Sequence, residues 1–445
     1  MGIMNAIGLI SLGTFLMMVL AAPRQWAMVG LLGGVLYMTL GQWLDVAGLH
    51  IYPIRVLMLA ALVRVLARRE WTPSSMNEID WIMLVTFGYR TAVFLLNGNG
   101  APTVGVGVTT DVLLSYFAAR GLVTTVQDLT WVLKALAVLL LPYVALLYLE
   151  STTGANPFTL IGGIADHTWR GVRPRCLGGF GHASLMGTFA AGFLPLFFAL
   201  LFSSKTRGWG FLGGVLCLAM IYFSNSGGPI TGAMLAVVGW AFWVFRQKMA
   251  LVRLGIVAAL VVAGLAMQAP LWYLPAKMSA LTGGDGWHRS YLMDVAFQNF
   301  DKWVLVGMPQ LETKDWFPYT VASGAADLIN YYLDFGIAAG VVCSVMFIYL
   351  LFLAFRLLGR ALRAVRARGR DSRPEELMLW ALGVMLVIHV FNWFGMVYFD
   401  QNVNMFYILF AVISTLGSQA WHARAKASDR IRVAGGLPPR RQVNA

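Results

Sequence analysis

Three arginines lie close together near the middle of the sequence, at Arg170, Arg173 and Arg175, directly before a long apolar stretch. Guanidinium groups bind phosphate oxygens through paired hydrogen bonds, and the first turn of a helix adds free N–H groups and a partial positive charge. The pattern predicts an anion site at the mouth of a helix, with His182 beside the arginines. The alternative is that these arginines reach to lipid headgroups.

A second cluster begins at His288 and Arg289, and a third follows before the next apolar stretch. In the second, Leu292, Val295 and Ala296 share one helical face, which predicts a short amphipathic helix with Arg289 at its start. The third contains Asp327, Asn330, Tyr331 and Asp334. Their spacing at i, i+3, i+4 and i+7 would bring acidic and amide groups together on one face of a helix.

Composition indicates which elements must position these clusters. Of the 445 residues 59% are hydrophobic and 12% charged, and the mean hydropathy is +0.70. So few charges cannot cover a water-soluble domain, and lipid accepts only helices or closed barrels because unpaired backbone groups are costly there. The apolar runs are continuous, so the sequence predicts an all-α polytopic membrane bundle.

Spans of about twenty residues divide the chain into twelve or thirteen transmembrane helices. They are predicted near residues 4–21, 27–43, 51–67, 80–97, 107–119, 131–149, 180–202, 209–224, 229–245, 251–268, 337–355, 377–397 and 403–419. The run at 107–119 is short and contains Asp111, as a partial or re-entrant span would. Arg90 in the fourth span is expensive in lipid, so it is predicted to face the interior and to pair with Asp111 or reach the anion.

The net charge of +13 comes from basic residues in short connectors and the tail, most densely between Arg356 and Arg373. This distribution indicates cytoplasmic connectors, not nucleic-acid binding. An alternative for the Arg356 to Arg373 run is binding of lipid headgroups. The segments 150–179, 226–229, 269–336 and 400–402 are then predicted to face the periplasm.

Five regions follow: N-terminal transmembrane helices (1–149), central transmembrane helices (150–268), a large periplasmic loop (269–336), C-terminal transmembrane helices (337–420) and a basic cytoplasmic tail (421–445). The three cysteines have no CxxC spacing, and the six histidines have no ligand spacing. No phosphate-binding glycine loop occurs. No metal or cofactor is predicted.

The ordered clusters resemble the O-antigen ligase and polymerase family of bacterial inner-membrane proteins. Residues 175–188 resemble its segment Arg, Gly-Phe-x-His-Pro, Leu-x-Gly-Thr, with Ala183 in place of the proline. Residues 289–291 and 307–309 resemble a segment of its large periplasmic loop, and residues 150–156 resemble its Glu-x-x-Thr-Gly-x-Asn.

The resemblance covers roughly residues 120–340 and departs from the family at one important position. Many members carry a His-Asn pair late in the loop, and the histidine is regarded as catalytic. Residues 325–330 here read Ala-Ala-Asp-Leu-Ile-Asn, so a histidine mechanism does not carry over. This form is more similar to the exopolysaccharide-associated branch.

The resemblance implies a metal-independent glycosyltransferase that moves a glycan from undecaprenyl diphosphate to a hydroxyl on lipid A core, on another lipid-linked glycan or on a protein. Arg175 and Arg289, supported by Arg173, would stabilise the diphosphate leaving group. Asp327 is the first candidate for general base, with His288 and His182 as rivals. Asn330 and Arg90 are further candidate binding residues. Asp327 could instead cap a helix that begins near Leu328.

Two alternatives remain open. A transporter or flippase of lipid-linked glycans would also be polytopic, but it would spread polar residues over many spans and show repeat symmetry. A scaffold would leave the arginines unexplained. The aromatic residues of the loop fit either stacking on sugar rings or an interfacial belt. They are Trp272, Tyr273, Trp303, Trp316 and Tyr319. Within span twelve, His389, Asn392 and Trp393 are interior polar residues that could also reach the substrate, and the alternative is an interior histidine whose hydrogen bonds are satisfied within the protein.

Overall fold

A computed structural model describes residues 2–46, 48–98, 102–166, 168–274, 276–277, 286–321 and 324–434, with side chains to residue 421 in the last helix. The chain is 74% helical. The helices are α1 (Ala6–Leu20), α2 (Arg24–Tyr37), α3 (Pro53–Ala67), α4 (Glu78–Leu96), α5 (Pro102–Ala119), α6 (Val126–Thr153), α7 (Ala183–Leu201), α8 (Arg207–Ser224), α9 (Gly227–Ala241), α10 (Met249–Ala266), α11 (Gly286–Gln298), α12 (Phe300–Trp303), α13 (Tyr331–Arg366), α14 (Arg373–Asn392) and α15 (Gln401–Ala434).

Nine helices of the described chain are long and apolar enough to cross a membrane: α4, α6 to α10 and α13 to α15. The helices α1, α2 and α3 are shorter, with 14 or 15 residues, and so is the apolar helix within α5, Thr103–Ala119. Helix α9 reaches spanning length with the 3-10 turn that continues it to Phe245. The predicted class of a helical multi-pass membrane protein is confirmed. The count of twelve or thirteen spans stays a prediction.

The strands are few and short: β1 (Gly2–Ile3), β2 (Gln42–Val46), β3 (Leu49–Ile51), β4 (Trp169–Arg170) and β5 (Arg173–Pro174). β2 pairs with β1 in parallel and with β3 antiparallel, with Leu44 opposite Ile51. The predicted span 27–43 is therefore too long, because α2 ends at Tyr37 and the chain turns into a hairpin. Gly41 allows the close approach of residue 162, since a Cβ there would lie 1.6 Å from the Gly162 carbonyl oxygen.

Helix α7 forms the centre of the bundle, and 17 of its 19 residues are buried. It packs against α8, α9 and α14. Local signals fix the neighbouring helices: Asn77 with Asp80 and Thr125 with Asp128 form capping boxes at the starts of α4 and α6. These caps satisfy N–H groups that the helices cannot pair themselves.

The bundle has two ends. The arginine-rich end holds the connectors 67–78, 119–126 and 366–373, where Arg368 donates to the carbonyl of Ala420. The opposite end, called the loop end below, holds the connections 154–182, 225–227, 267–330 and 393–400. Hydrogen bonds join several of these loop-end segments, as from Gly181 N to Asp400.

Helix α13 is broken near its start, where Ala339 and Gly340 leave helical conformation. The connection before it pairs the freed backbone groups: Met308 N donates to the Ile337 carbonyl at 2.8 Å, and Val341 N donates to the Val304 carbonyl at 2.9 Å. Residues 331–338 therefore form a short half-helix. The helix begins at Tyr331, six residues before the predicted span start at 337. The boundary of the long loop at 336 stays a prediction.

Candidate functional site

The loop before α7 is held by a buried carboxylate. Glu150, at the end of α6, accepts hydrogen bonds from the backbone of Leu177 at 2.6 Å and Gly178 at 2.9 Å. Asn156 donates to the Gly178 carbonyl at 3.0 Å. Gly178 has a φ of +56° and leaves no room for a side chain beside Tyr143. The segment 150–156 thus fixes the backbone that carries the basic cluster.

Arg175 projects from this loop to the place where α7 begins and α8 turns into α9. Its Nη2 donates to the hydroxyls of Ser184 and Ser226, each at 2.9 Å. Its buried Nε has no hydrogen-bond partner, and no described carboxylate forms an ion pair with it. Two neutral hydroxyls hold the group in place without neutralising it.

The other two arginines of the cluster surround this position with further positive charge. Burial lowers the pKa of Arg175, and the charge of Arg170 lowers it further. Arg173 is exposed and lies over the Tyr222 ring at 4.6 Å. Three cations at one helix mouth favour binding of an anion with several charges, such as a diphosphate.

His182 is the N-cap of α7. Its Nδ1 accepts the backbone N–H of Ser184 at 3.2 Å. Burial and the nearby Arg175 lower its pKa to about 4, so the ring is neutral at pH 7. Because Nδ1 is occupied as an acceptor, the proton lies on Nε2, and the ring can donate to a ligand but cannot take up a proton there. This argues against His182 as a general base.

The turn between α14 and α15 contacts both helix α7 and Arg289. On one side, Thr188 of α7 donates to the Met396 sulfur at 3.9 Å. On the other, Arg289 packs on Gly395 so closely that a Cβ there would lie 2.5 Å from its Nε. The turn thus brings α11 of the long connection next to the first part of α7, where Ser184 accepts from Arg175.

Asp400, which sequence reasoning named only as part of an outward segment, anchors this turn. Its carboxylate accepts from Gly181 N at 2.9 Å and from Asn402 N at 3.0 Å. Burial raises its pKa to about 6, although these hydrogen bonds oppose the shift. Sequence reasoning also missed Ser184 and Ser226 as partners of Arg175, because nothing in the sequence marks which serine faces an arginine, whether it is 9 or 51 positions away.

The predicted helix is confirmed as α11, in which Leu292 and Ala296 are buried and Val295 is half-buried. Its amphipathic character is not confirmed, because His288 and Ser290 are buried as well. Ser290 donates to the Trp272 carbonyl at 2.9 Å, and Asp294 accepts from the Trp272 indole at 2.6 Å. Asn330 donates to the Met293 sulfur at 3.5 Å. Contacts on two sides therefore fix the position of the helix that carries Arg289.

Asp327 and Asn330 do not share a helical face. Asn330 is the N-cap of α13 and accepts from the backbone of Tyr332 and Leu333, whereas Asp327 precedes the helix on a short hairpin. The predicted capping role of Asp327 is wrong, as is a helix start near Leu328. The Asp327 carboxyl is partly buried, and burial raises its pKa. A raised pKa makes the carboxylate a stronger base near neutral pH.

Arg90 faces the interior as predicted, but its partner is Asp334 at 2.8 Å. Asp111 instead binds Arg55 through two hydrogen bonds of 2.6 and 2.9 Å. The predicted Arg90–Asp111 pair is therefore wrong. His389 is buried and bonded to the Tyr398 hydroxyl at 2.6 Å.

His288 is also buried, and its ring stacks on Phe317 with centroids 3.5 Å apart. Within the described residues, no group of three or more His, Cys, Asp or Glu side chains could hold a metal ion.

No protein-family model matches the sequence, and no curated protein is similar enough to count as a match.

Proposed function

We propose that the protein is a membrane glycosyltransferase of the O-antigen ligase or polymerase type, which moves a glycan from undecaprenyl diphosphate to an acceptor hydroxyl at the periplasmic face. The observation that supports it most is Arg175, a partly buried guanidinium held by two hydroxyls and lacking a described carboxylate partner. Such a charge is costly unless an anion balances it. A lipid diphosphate at the loop end supplies that anion.

The reaction breaks the bond between the anomeric carbon and the diphosphate oxygen and forms a bond from that carbon to the acceptor oxygen. Undecaprenyl diphosphate leaves with the electron pair, and Arg175 and Arg289 stabilise the charge that develops on it. Arg173 adds to the positive field. The hydroxyl proton passes to the general base, for which Asp327 is the first candidate because burial raises its pKa.

Asn330 and Arg90 take indirect roles in this proposal. Asn330 fixes the start of α13 and contacts α11 through Met293. Arg90, balanced by Asp334, holds the half-helix of α13 against α4. Both therefore position the elements that carry Arg289 and Asp327.

The test is transfer by purified protein in nanodiscs, with an undecaprenyl-diphosphate glycan as donor and either lipid A core or a second lipid-linked glycan as acceptor. We expect new glycosidic product with and without chelator, and a loss of about 100-fold in Arg289→Ala. Arg253→Ala is the matched control, since Arg253 is an exposed arginine on α10.

Asp327→Asn separates the base from the anion site. It should lose transfer while still binding the donor, and wild-type transfer should fall on acidification at a higher pH than an ordinary aspartate would give. Wild-type transfer in Arg289→Ala would contradict the site. Movement of donor across vesicles without any new bond would favour the transporter.

A further inference from the structure

Four aromatic side chains form a surface on one side of α11, called the aromatic platform here: Trp287, Tyr291, Phe317 and Tyr319. The Trp287 and Tyr291 rings are nearly parallel, with centroids 5.0 Å apart and an interplanar angle of 20°. Phe317 lies between them and Tyr319, 5.3 Å from the latter. Trp287 is 57% exposed and Tyr319 65%, so two broad rings of a supported cluster face outward.

The other aromatic residues that the sequence pointed to in the long connection form contacts of their own. Trp272 and Tyr273 both donate to the Asp294 carboxylate. Trp303 and Trp316 are buried, and the Trp303 indole donates to the Ala296 carbonyl at 2.8 Å. Of the five aromatic residues that the sequence pointed to, Tyr319 is the exposed one.

A carboxylate borders the platform. Asp327 and Tyr319 are joined across the hairpin by a hydrogen bond from Asp327 N to the Tyr319 carbonyl at 3.2 Å. A pyranose ring has an apolar C–H face and a rim of hydroxyl donors. An aromatic ring matches the face and a carboxylate matches the rim, so this combination fits a sugar better than it fits an acyl chain.

The platform and Arg289 lie on opposite sides of α11. Trp287 and Tyr291 are four residues apart and share a face, whereas Arg289 is two residues from each and about 200° around the helix from Trp287. Arg289 meets Gly395 on its own side. A helix with side chains is about 10 Å across, so a sugar on the platform is well separated from a diphosphate at Arg289.

We propose that the aromatic platform binds a sugar residue of a glycan chain at a distance from the bond that reacts. This rests on the proposed function, since it assumes that the diphosphate lies at Arg175 and Arg289. The chain belongs either to the donor or to the acceptor, which offer the same chemistry to the platform.

The experiment measures binding of two probes to the protein in nanodiscs by saturation-transfer NMR. One probe is the oligosaccharide released from the donor by mild acid, which lacks the diphosphate, and the other is the acceptor glycan. Trp287→Ala should weaken binding of one probe about fivefold, and Trp287→Phe should restore most of it. The affected probe identifies the chain. Trp81→Ala is the matched control, because Trp81 is 58% exposed at the start of α4.

If Trp287→Ala binds each probe as tightly as wild type does, the aromatic platform does not bind a sugar. If glycan transfer still depends on Arg289 in that case, the proposed function is unaffected. The opposite result is distinguishable: no transfer by wild type, with glycan binding still dependent on Trp287, would sink the proposed function and keep the platform.

Discussion

Arg120 and Arg175 are both enclosed by protein, but their guanidinium groups meet different partners. Arg120 lies at the arginine-rich end and forms two hydrogen bonds of 2.8 Å with Asp80, whose carboxylate also accepts from Tyr116. Arg175 lies at the loop end and donates only to the hydroxyls of Ser184 and Ser226. Among the residues that the structure describes, a carboxylate balances the first charge and none balances the second.

Other enclosed arginines follow Arg120. Arg64 pairs with Glu70 at 3.0 Å, and Arg90 pairs with Asp334 at 2.8 Å. A buried ion pair contributes to assembly, because removal of either partner leaves an uncompensated charge. A charge that the fold leaves unbalanced is instead available to a ligand. The comparison separates arginines that hold helices together from an arginine that can bind substrate.

The largest expected effect is on stability. Arg120→Met leaves the fully buried Asp80 without its cation, which should cost about 3–5 kcal/mol and sharply lower the detergent-extracted yield and the unfolding temperature. Combining it with Asp80→Asn removes the orphan charge, and the new amide oxygen can still accept from Asn77 N, as the Asp80 carboxylate does. The double variant should recover much of the loss. If the single and the double variant have the same unfolding temperature, the unbalanced charge of Asp80 is not the cause of the lost stability.

Arg175→Met should reduce glycan transfer and leave stability nearly unchanged. No described carboxylate is left unpaired, so the unfolding temperature should stay close to that of wild type, while glycan transfer falls about 100-fold. Arg175→Lys keeps the charge but loses the fork of donors, so it should restore only part of the activity. If Arg175→Met lowered the unfolding temperature as much as Arg120→Met does, the two arginines would not differ in the way proposed.

Ser226→Ala is a smaller test of the same site. It removes one of the two hydroxyls that orient Arg175. A hydrogen bond to a charged group is worth about 1.5–3 kcal/mol, so inhibition by inorganic pyrophosphate should weaken about tenfold or more with little change in stability. Ser115→Ala removes a buried serine that accepts from Asn404, so it should lower stability and leave inhibition by pyrophosphate unchanged. An unchanged inhibition constant in Ser226→Ala would show that Ser184 alone orients the arginine.

The smallest effect concerns pH. The pKa of His182 is about 4 in the fold, below its ordinary 6.5, because burial favours the neutral ring. Its contribution to stability is therefore complete above pH 6.5 and is lost as pH falls toward 4. His182→Asn keeps the cap without a titrating group. Its unfolding temperature should fall less than that of wild type across this window, and parallel curves would contradict the role of His182.

The sequence was enough to predict elements that local physics determines. Continuous apolar runs predicted helices such as α6 and α14, and the spacing of Leu292 and Ala296 predicted α11. The same patterns failed where distant residues decide. Hydropathy placed the start of α13 at 337, because its polar first turns become helical only when they pack inside the bundle. The partner of Arg90 is 244 positions away, and nothing near Arg90 distinguishes Asp334 from Asp111.

The break in α13 bears on how the chain is assembled during synthesis. Val304 and Met308 precede α13 in the sequence, so they are already made when its first turns leave the ribosome. The amide and carbonyl left unpaired at the break can therefore form their hydrogen bonds as soon as α13 packs in place. They do not remain unpaired in lipid, where an unpaired backbone group costs several kcal/mol. A circular permutation that placed residues 304–308 after α13 would reverse this order and should reduce the yield of inserted protein.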